Sequence, residues 1–173
     1  MNALVNLKPR QKLIVVGNGM VGHHCVEQLI ERSAVDRYEI HVFGEERQRA
    51  YDRVHLSEYF GGSCAETLAL GDAQLYGKHG VTLHLGQSVI EIDRQAREVV
   101  TANGRHAYDV LVLATGSFPF VPPIPGCEGN ARLVYRTLDD LDAIRAAAVG
   151  ARRGVVVGGG LLGLEAANAL KSL

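Results

Sequence analysis

Two segments of the chain follow one template, and nothing else in the sequence restricts the fold as strongly. "KLIVVGNGMVG" (Lys12–Gly22) and "RGVVVGGGLLG" (Arg153–Gly163) each run from a basic residue through a short apolar stretch into G-x-G-x-x-G. An apolar run without alternation is the pattern of a parallel strand buried on both faces. The three glycines then have separate reasons to be there. Gly17 allows a tight turn, Gly19 has no Cβ to hold a ligand away, and Gly22 lets the following helix pack closely on the strand. The helix start offers unpaired N–H groups and the positive end of its dipole to an anion. Gly158, Gly160 and Gly163 repeat the arrangement. Two copies predict two nucleotide sites, with Asn18 and Met20 in the first turn and Leu162 in the second.

After the first turn the pattern is helical. Val21, Cys25 and Leu29 share a face, Val26 and Ile30 lie beside it, and Glu27, Glu31 and Arg32 point elsewhere. "YEIHVFG" (Tyr38–Gly44) reads as a second strand, which makes the segment a βαβ unit. An acidic residue at the end of that strand holds the ribose hydroxyls of a bound dinucleotide. Glu45, first after the strand, is favoured over Glu46; the alternative is that both are solvated surface carboxylates. An adenine dinucleotide with free ribose hydroxyls, FAD or NAD, is the expected ligand.

Residues 45–79 are irregular, with a short helix expected over Val54–Phe60. "GVTLHLG" (Gly80–Gly86) reads as a third strand. "SVIEID", "REVVTANG" and "RHAYD" read as an antiparallel meander, with Asn103-Gly104 suiting a type I′ turn. "DVLVLATG" (Asp109–Gly116) returns to the parallel sheet. "SFPFVPPIPG" then holds four of the five prolines in ten residues. Proline fixes φ and lacks a donor, so this is an extended connector and the expected boundary between domains over 1–120 and 121–173. "TLDDLDAIRAAA" is a helix with Leu138, Leu141 and Ile144 on one side, and the second strand–turn–helix closes the chain.

Composition excludes several classes. A formal charge of −1 gives no electrostatic reason to bind nucleic acid or an anionic membrane. Three separated cysteines without a C-x-x-C rule out a zinc ribbon or dithiol pair and fit a reducing compartment. Cys25 is expected on the buried helix face, and Cys64 lies too far beyond the first turn to match the redox cysteine of flavin peroxidases. His23 and His24 are adjacent on a helix and point in different directions, which argues against a paired metal site. With no apolar stretch of signal-peptide or membrane-spanning length, the expected location is cytoplasmic.

The meander followed by "LVLATGSFPFVPPIPG" resembles the second FAD motif of two-dinucleotide flavin oxidoreductases, in which an A-T-G turn approaches the flavin nucleotide and a nicotinamide fingerprint follows. Ala114, Thr115 and Gly116 match that turn. "AYDRVHLSEYF", "NGMVGHHCVEQL" and "VYRTLDDLDAI" are similar to stretches of the NAD(P)H-dependent assimilatory nitrite reductase large subunits, members of the pyridine nucleotide-disulfide oxidoreductase-like superfamily. Related ferredoxin and rubredoxin reductases carry "RPPLSK" here; in this chain Val54-His55 replaces the prolines and Glu58 the lysine, which favours the nitrite reductase type.

The resemblance implies a Rossmann-like α/β fold of three layers, a parallel sheet with an antiparallel meander insert, followed by the start of a second such unit. It implies FAD and NAD(P)H as cofactors, with Arg53 and Arg136 facing the FAD and the backbone of Val89 on its adenine side. Glu165 is similar to the glutamate near the nicotinamide; the alternative is a cap on the first helical turn. Hydride passing from nicotinamide to flavin, and then single electrons to an acceptor, is chemistry of the cofactors. Sirohaem and iron–sulfur centres belong to later parts of such enzymes. Their absence, with that of the last FAD-domain segment, leads to the expectation of an N-terminal fragment, inactive or feeble and holding FAD weakly. A small nitrite reductase subunit or a second copy are the implied partners. A ferredoxin or rubredoxin reductase, and a non-catalytic dinucleotide-binding module, stay open as alternatives.

Overall fold

The computed structural model describes residues 9–125 and 132–173; the N-terminal stretch to Lys8 and Cys127 lie outside the described residues. The chain divides into two compact units, Met1–Ala50 with Leu70–Gly116, and Tyr51–Ala69 with Ser117–Leu173.

The first unit is built on a parallel sheet. Strands β1 (Gln11–Val16), β2 (Tyr38–Phe43), β3 (Thr82–His84) and β7 (Val110–Leu113) stand in the order β3-β2-β1-β7. Helix α1 (Met20–Glu31) makes the crossover from β1 to β2, and Val16 lies opposite Phe43 and Leu113 in register. Successive strand residues point to opposite faces, so β1 serves two cores. Leu13 and Val15 pack with Val26 of α1, Tyr76 of the short helix α3 (Leu75–Lys78), and Ile40 and Val42 of β2. Ile14, Val16 and Phe43 face the other way, onto Val99 and Ile92 of the antiparallel sheet β4 (Val89–Asp93), β5 (Glu98–Thr101) and β6 (Gly104–Ala107). The result is three layers: helices, parallel sheet and meander. The central strand is therefore buried on both sides, which is why it reads as apolar without alternation.

The packing of α1 differs from the sequence expectation. Val21 is 73% exposed and Cys25 is only partly buried, while the buried positions are Gly22, His23 and Val26. Gly22 explains the rotation. A Cβ there would lie 1.9 Å from the Gly17 carbonyl oxygen, so the helix touches the strand end along the line through Gly22 and Val26. Val21 is about 100° round the helix from that contact.

The β5–β6 hairpin also differs. Thr101 pairs with Gly104, so the two loop residues are Ala102 and Asn103 rather than Asn103-Gly104. Neither has a positive φ, which excludes type I′; Gly104, at φ 138°, supplies the glycine-only conformation one position later.

In the second unit, α2 (Ala65–Leu68), α4 (Leu138–Ala148) and α5 (Leu161–Lys171) gather around Leu56, Phe60, Tyr135, Leu138, Leu141 and Ile144. The expected short helix is a 3-10 helix, Leu56–Gly61. The Arg145 guanidinium lies 4.2 Å over the Tyr59 ring and donates to the Tyr59 carbonyl, which fastens α4 to that helix. The apolar run before the second glycine turn is not a strand. Val155 and Val157 are 85% and 79% exposed, and no segment among the described residues pairs with them. A strand exists only through its ladder, so apolar character alone does not make one. No helix among the described residues is long and apolar enough to cross a membrane.

Candidate functional site

The first glycine turn sits at the carboxyl end of the parallel sheet, between β1 and α1. Gly17 has φ 109°, and its N–H donates to the Phe43 carbonyl at 2.8 Å. A Cβ on Gly17 would come within 2.1 Å of the Ala114 carbonyl oxygen, so the A-T-G turn after β7 lies directly against it. Ala114 N–H in turn donates to Val16 at 2.8 Å, Gly116 has φ 67°, and Thr115 and Gly116 are exposed. Gly44, beside β2, comes so near that its Cβ would be 3.0 Å from Asn18 Cβ, and exposed Glu45 follows it at the same sheet edge. The structure thus brings together Gly17, Asn18, Gly19, Met20, Gly22, Glu45 and Ala114–Gly116. Val89 opens β4; its side chain packs toward Val99 and the sheet core.

Gly19 differs from its neighbours. A Cβ there would meet nothing within 4 Å, and its φ is −85°, so neither packing nor backbone conformation requires glycine. What its missing Cβ leaves is open space beside the first N–H groups of α1. That helix has no side-chain cap and no acidic residue in its first turn. Four N–H groups at a helix start lack intrahelical partners and are ordinarily met by a capping side chain, water or an anion. The same chain caps α4 fully: Thr137 accepts from Asp140 N–H at 3.1 Å, Asp140 Oδ2 accepts from Thr137 N–H at 2.8 Å, and Asp139 and Asp140 occupy the first turn. The uncapped start of α1 is therefore a local feature suited to phosphate.

The second turn repeats this geometry. Gly158 has φ 125°, a Cβ on Gly163 would be 2.1 Å from the Gly158 carbonyl oxygen, and Gly160 has open space. Gly160 caps α5 at φ −76°, ψ 177°, close to the φ −85°, ψ −168° of Gly19, again with no side-chain cap and no acidic residue in the first turn. Leu162 is 54% exposed. Glu165 lies beyond the first turn of α5, so it does not cap it.

Within the second unit Arg53 and Arg136 meet. Arg53 Nη1 donates to the Arg136 carbonyl at 2.9 Å, with its guanidinium 4.8 Å over the Tyr51 ring, and Arg136 Nε donates to the Ser117 carbonyl at 3.2 Å. Two residues later in the loop, His55 Nδ1 is 2.7 Å from Asp52 Oδ2. That hydrogen bond raises the His55 pKa, with the charges of Glu58 and Glu165 adding to it, and holds the Asp52 carboxyl below its ordinary value. The pairing was not anticipated from the sequence, although its Asp-x-x-His spacing is visible there.

His23 and His24 do diverge: His23 is 6% exposed, while the His24 side chain is 71% exposed. His23 Nδ1 is 2.9 Å from the Tyr76 hydroxyl, which is 3.4 Å from Asn18 Oδ1. Asn18, His23, Arg49, Asp72 and Tyr76 line a cavity of about 260 Å³ in the first unit.

Sheet order, a glycine turn at its carboxyl end and an uncapped helix behind each of two such turns define a dinucleotide-binding α/β protein. Residues 11–173 match the pyridine nucleotide-disulphide oxidoreductase family, and the chain belongs to it. Among particular relatives, it is 59% identical over 162 residues to the nitrite reductase (NAD(P)H) large subunit of Klebsiella oxytoca, a match covering 93% of this chain and 17% of that protein. With the nitrite reductase (NADH) large subunit of Escherichia coli (strain K12) the identity is 49% over 163 residues, covering 94% of this chain and 19% of the other. The solved covalent putidaredoxin reductase–putidaredoxin complex has a TM-score of 0.80 at 32% identity, over 95% of this chain and 41% of the matched one. The chain spans less than a fifth of the length of these two nitrite reductases.

Proposed function

We propose that the chain carries the flavin-reducing end of an NAD(P)H-dependent oxidoreductase of the nitrite reductase type. Residues 1–120 carry its FAD-binding portion and 121–173 begin its NAD(P)H-binding portion, with Tyr51–Ala69 packed in the second compact unit. The first turn, Gly17, Asn18, Gly19, Met20 and Gly22, seats the FAD diphosphate, Glu45 takes the adenosine ribose, and Ala114–Gly116 approach the flavin side. The backbone of Val89 meets its adenine end, and the family resemblance alone is the ground for assigning Arg53 and Arg136 to FAD. Gly158, Gly160, Leu162, Gly163 and Glu165 serve NAD(P)H.

The cofactors, when bound, supply hydride transfer and the later release of single electrons. The chain's own work is to bind and orient. Unpaired N–H groups of α1 and α5 hold diphosphates, and Arg53, steadied by the Arg136 carbonyl and the Tyr51 ring, keeps a fixed positive charge. No side-chain acid, base or nucleophile is assigned. The observation that carries this reading is the pair of uncapped helices behind glycine turns of matching geometry, in a chain that caps α4 with Thr137 and Asp140.

Val54-His55 and Glu58, in place of the ferredoxin reductase "RPPLSK" pattern, and the identity of 59% favour the nitrite reductase type. Iron–sulfur and sirohaem centres elsewhere in such an enzyme would accept the electrons, with a small subunit or a second copy as partner. Unpaired Cys25 and Cys64 fit the reducing cytoplasm. Fluorescence titration with FAD, and separately with NADH and NADPH, tests the proposal. Both cofactor classes should bind without displacing one another; mutual displacement, or no response to FAD, would overturn it.

A further inference from the structure

We propose that His23 and Tyr76, beside the Glu27 carboxylate, form a hydrogen-bond relay that orients the side-chain amide of Asn18 inside the first glycine turn. His23 and Tyr76 are then positioning residues for the diphosphate. The inference rests on the reading that this turn seats a dinucleotide.

A carboxylate lies beside the relay. Glu27 Oε1 is 3.3 Å from His23 Nε2, one helical turn away on α1, a charge contact without hydrogen-bond geometry that leaves Nε2 buried with no hydrogen-bond partner. On the other side of the ring, Nδ1 is 2.9 Å from the Tyr76 hydroxyl, and that hydroxyl is 3.4 Å from Asn18 Oδ1. His23 and Tyr76 are 6% and 8% exposed, which shields the ring and the hydroxyl from water. Gly71 makes the room: a Cβ there would be 2.9 Å from His23 Nε2.

A tyrosine hydroxyl has one hydrogen and cannot donate to His23 and Asn18 together. The count of protons on His23 decides which receives it. Burial lowers the His23 pKa below 6.5 despite Glu27, so the ring is neutral at pH 7. A carboxylate only accepts, and it draws the single ring N–H to Nε2. Nδ1 then takes the Tyr76 hydrogen, leaving the hydroxyl oxygen as an acceptor toward Asn18. The matching donor is Asn18 Nδ2, a buried atom with no hydrogen-bond partner, which a half-turn of the amide carries to the Tyr76 oxygen. When His23 is protonated, Nδ1–H donates to Tyr76, and the hydroxyl donates to Asn18 Oδ1. The relay thus has two polarities, and the amide between Gly17 and Gly19 follows them. The charged and titratable groups around His23 are Glu27 and His24 on α1, Tyr76 on α3, and Arg49 and Asp72 beside the cavity.

The test uses the whole chain with three readouts. Nitrogen-15 NMR should show the His23 proton on Nε2 at neutral pH in the wild type and a shift toward Nδ1 in Glu27→Ala. Tyr76→Phe should weaken FAD about 3- to 10-fold by calorimetry, the effect of losing one hydrogen bond, and leave NADH affinity unchanged. Wild-type FAD affinity should change as the pH falls below 6.5, while that of Tyr76→Phe stays flat. Equal FAD affinity and equal pH response in Tyr76→Phe and wild type would overturn the relay, as would an unprotonated Nε2. If Tyr76→Phe does not fold, the tautomer in wild type and Glu27→Ala decides alone. A wild type that binds no FAD would sink the diphosphate reading instead, and the tautomer would still report on the relay.

Discussion

Gly17, Gly19 and Gly22 fall within six residues, and their missing side chains face three different things: the Ala114 carbonyl, open space, and the Gly17 carbonyl. Substitutions should separate accordingly. Gly22→Ala drives a methyl into backbone and should cost about 1–3 kcal/mol in urea unfolding, the range for overpacking. A midpoint equal to that of the wild type would show that the helix does not approach as closely as described. His55 gives a second test at this scale. Its hydrogen bond to Asp52 raises its pKa, so its NMR titration should lie above 6.5 and move down toward that value in Asp52→Asn. A wild-type midpoint at or below 6.5 would contradict the pairing. The sign for stability follows. The His55 contribution is present below 6.5 and is lost as the pH rises through the raised value, whereas that of Asp52 is present above 3.8 and lost as the pH falls.

At the scale of elements, α4 is held by its cap and its core face. Thr137→Ala removes the oxygen that accepts from Asp140 N–H and should cost about 1 kcal/mol. Leu141→Ala empties a fully buried position and should cost about 2–5 kcal/mol. Chemical denaturation measures both, and a larger loss at Thr137 than at Leu141 would invert the assignment of roles. This helix was legible because its cap signal, its acidic first turn and its 3.6-residue apolar spacing coincide in "TLDDLDAI". The strands β1 and β7 were legible for a similar reason, each being an apolar run bounded by a turn, and β2 through the alternation of Ile40 and Val42 with Glu39 and His41 before Gly44. Val21 was misread because spacing gives the width of an apolar stripe but not its rotation, which the Gly17–Gly22 contact sets. The turn at Ala102–Asn103 was misread because a hairpin's register depends on φ at its loop residues, and a shift of one position changes no composition. Val155 and Val157 have the composition of a strand, yet pairing depends on a partner that no local pattern reveals.

Across the whole molecule, the least legible feature is the company kept by Tyr51–Ala69. The stretch is irregular in sequence and joins α4 and α5 in a second core through Leu56, Phe60 and Leu68, contacts between residues far apart in the chain. The nucleotide turns were readable because they are local. Their N–H groups, glycines and helix starts all lie within a dozen residues. Global stability should respond to acid through His23 and His84, whose pKa values are lowered, first of all by burial. Below 6.5 the unfolded chain then binds more protons than the folded one, so the melting temperature should fall as the pH drops from 6.5; a flat profile down to pH 5 would contradict the burial of these rings. The central claim, that each open glycine admits a diphosphate, is tested most directly by one paired titration. Gly19→Val and Gly160→Val, both expected to melt like the wild type, are titrated with FAD and NAD(P)H by fluorescence. Gly19→Val should lose FAD at least about tenfold and keep NAD(P)H, and Gly160→Val should do the reverse, because a branched side chain costs the approach of phosphate and little else. Folded variants that bind both cofactors with unchanged affinity would contradict the account.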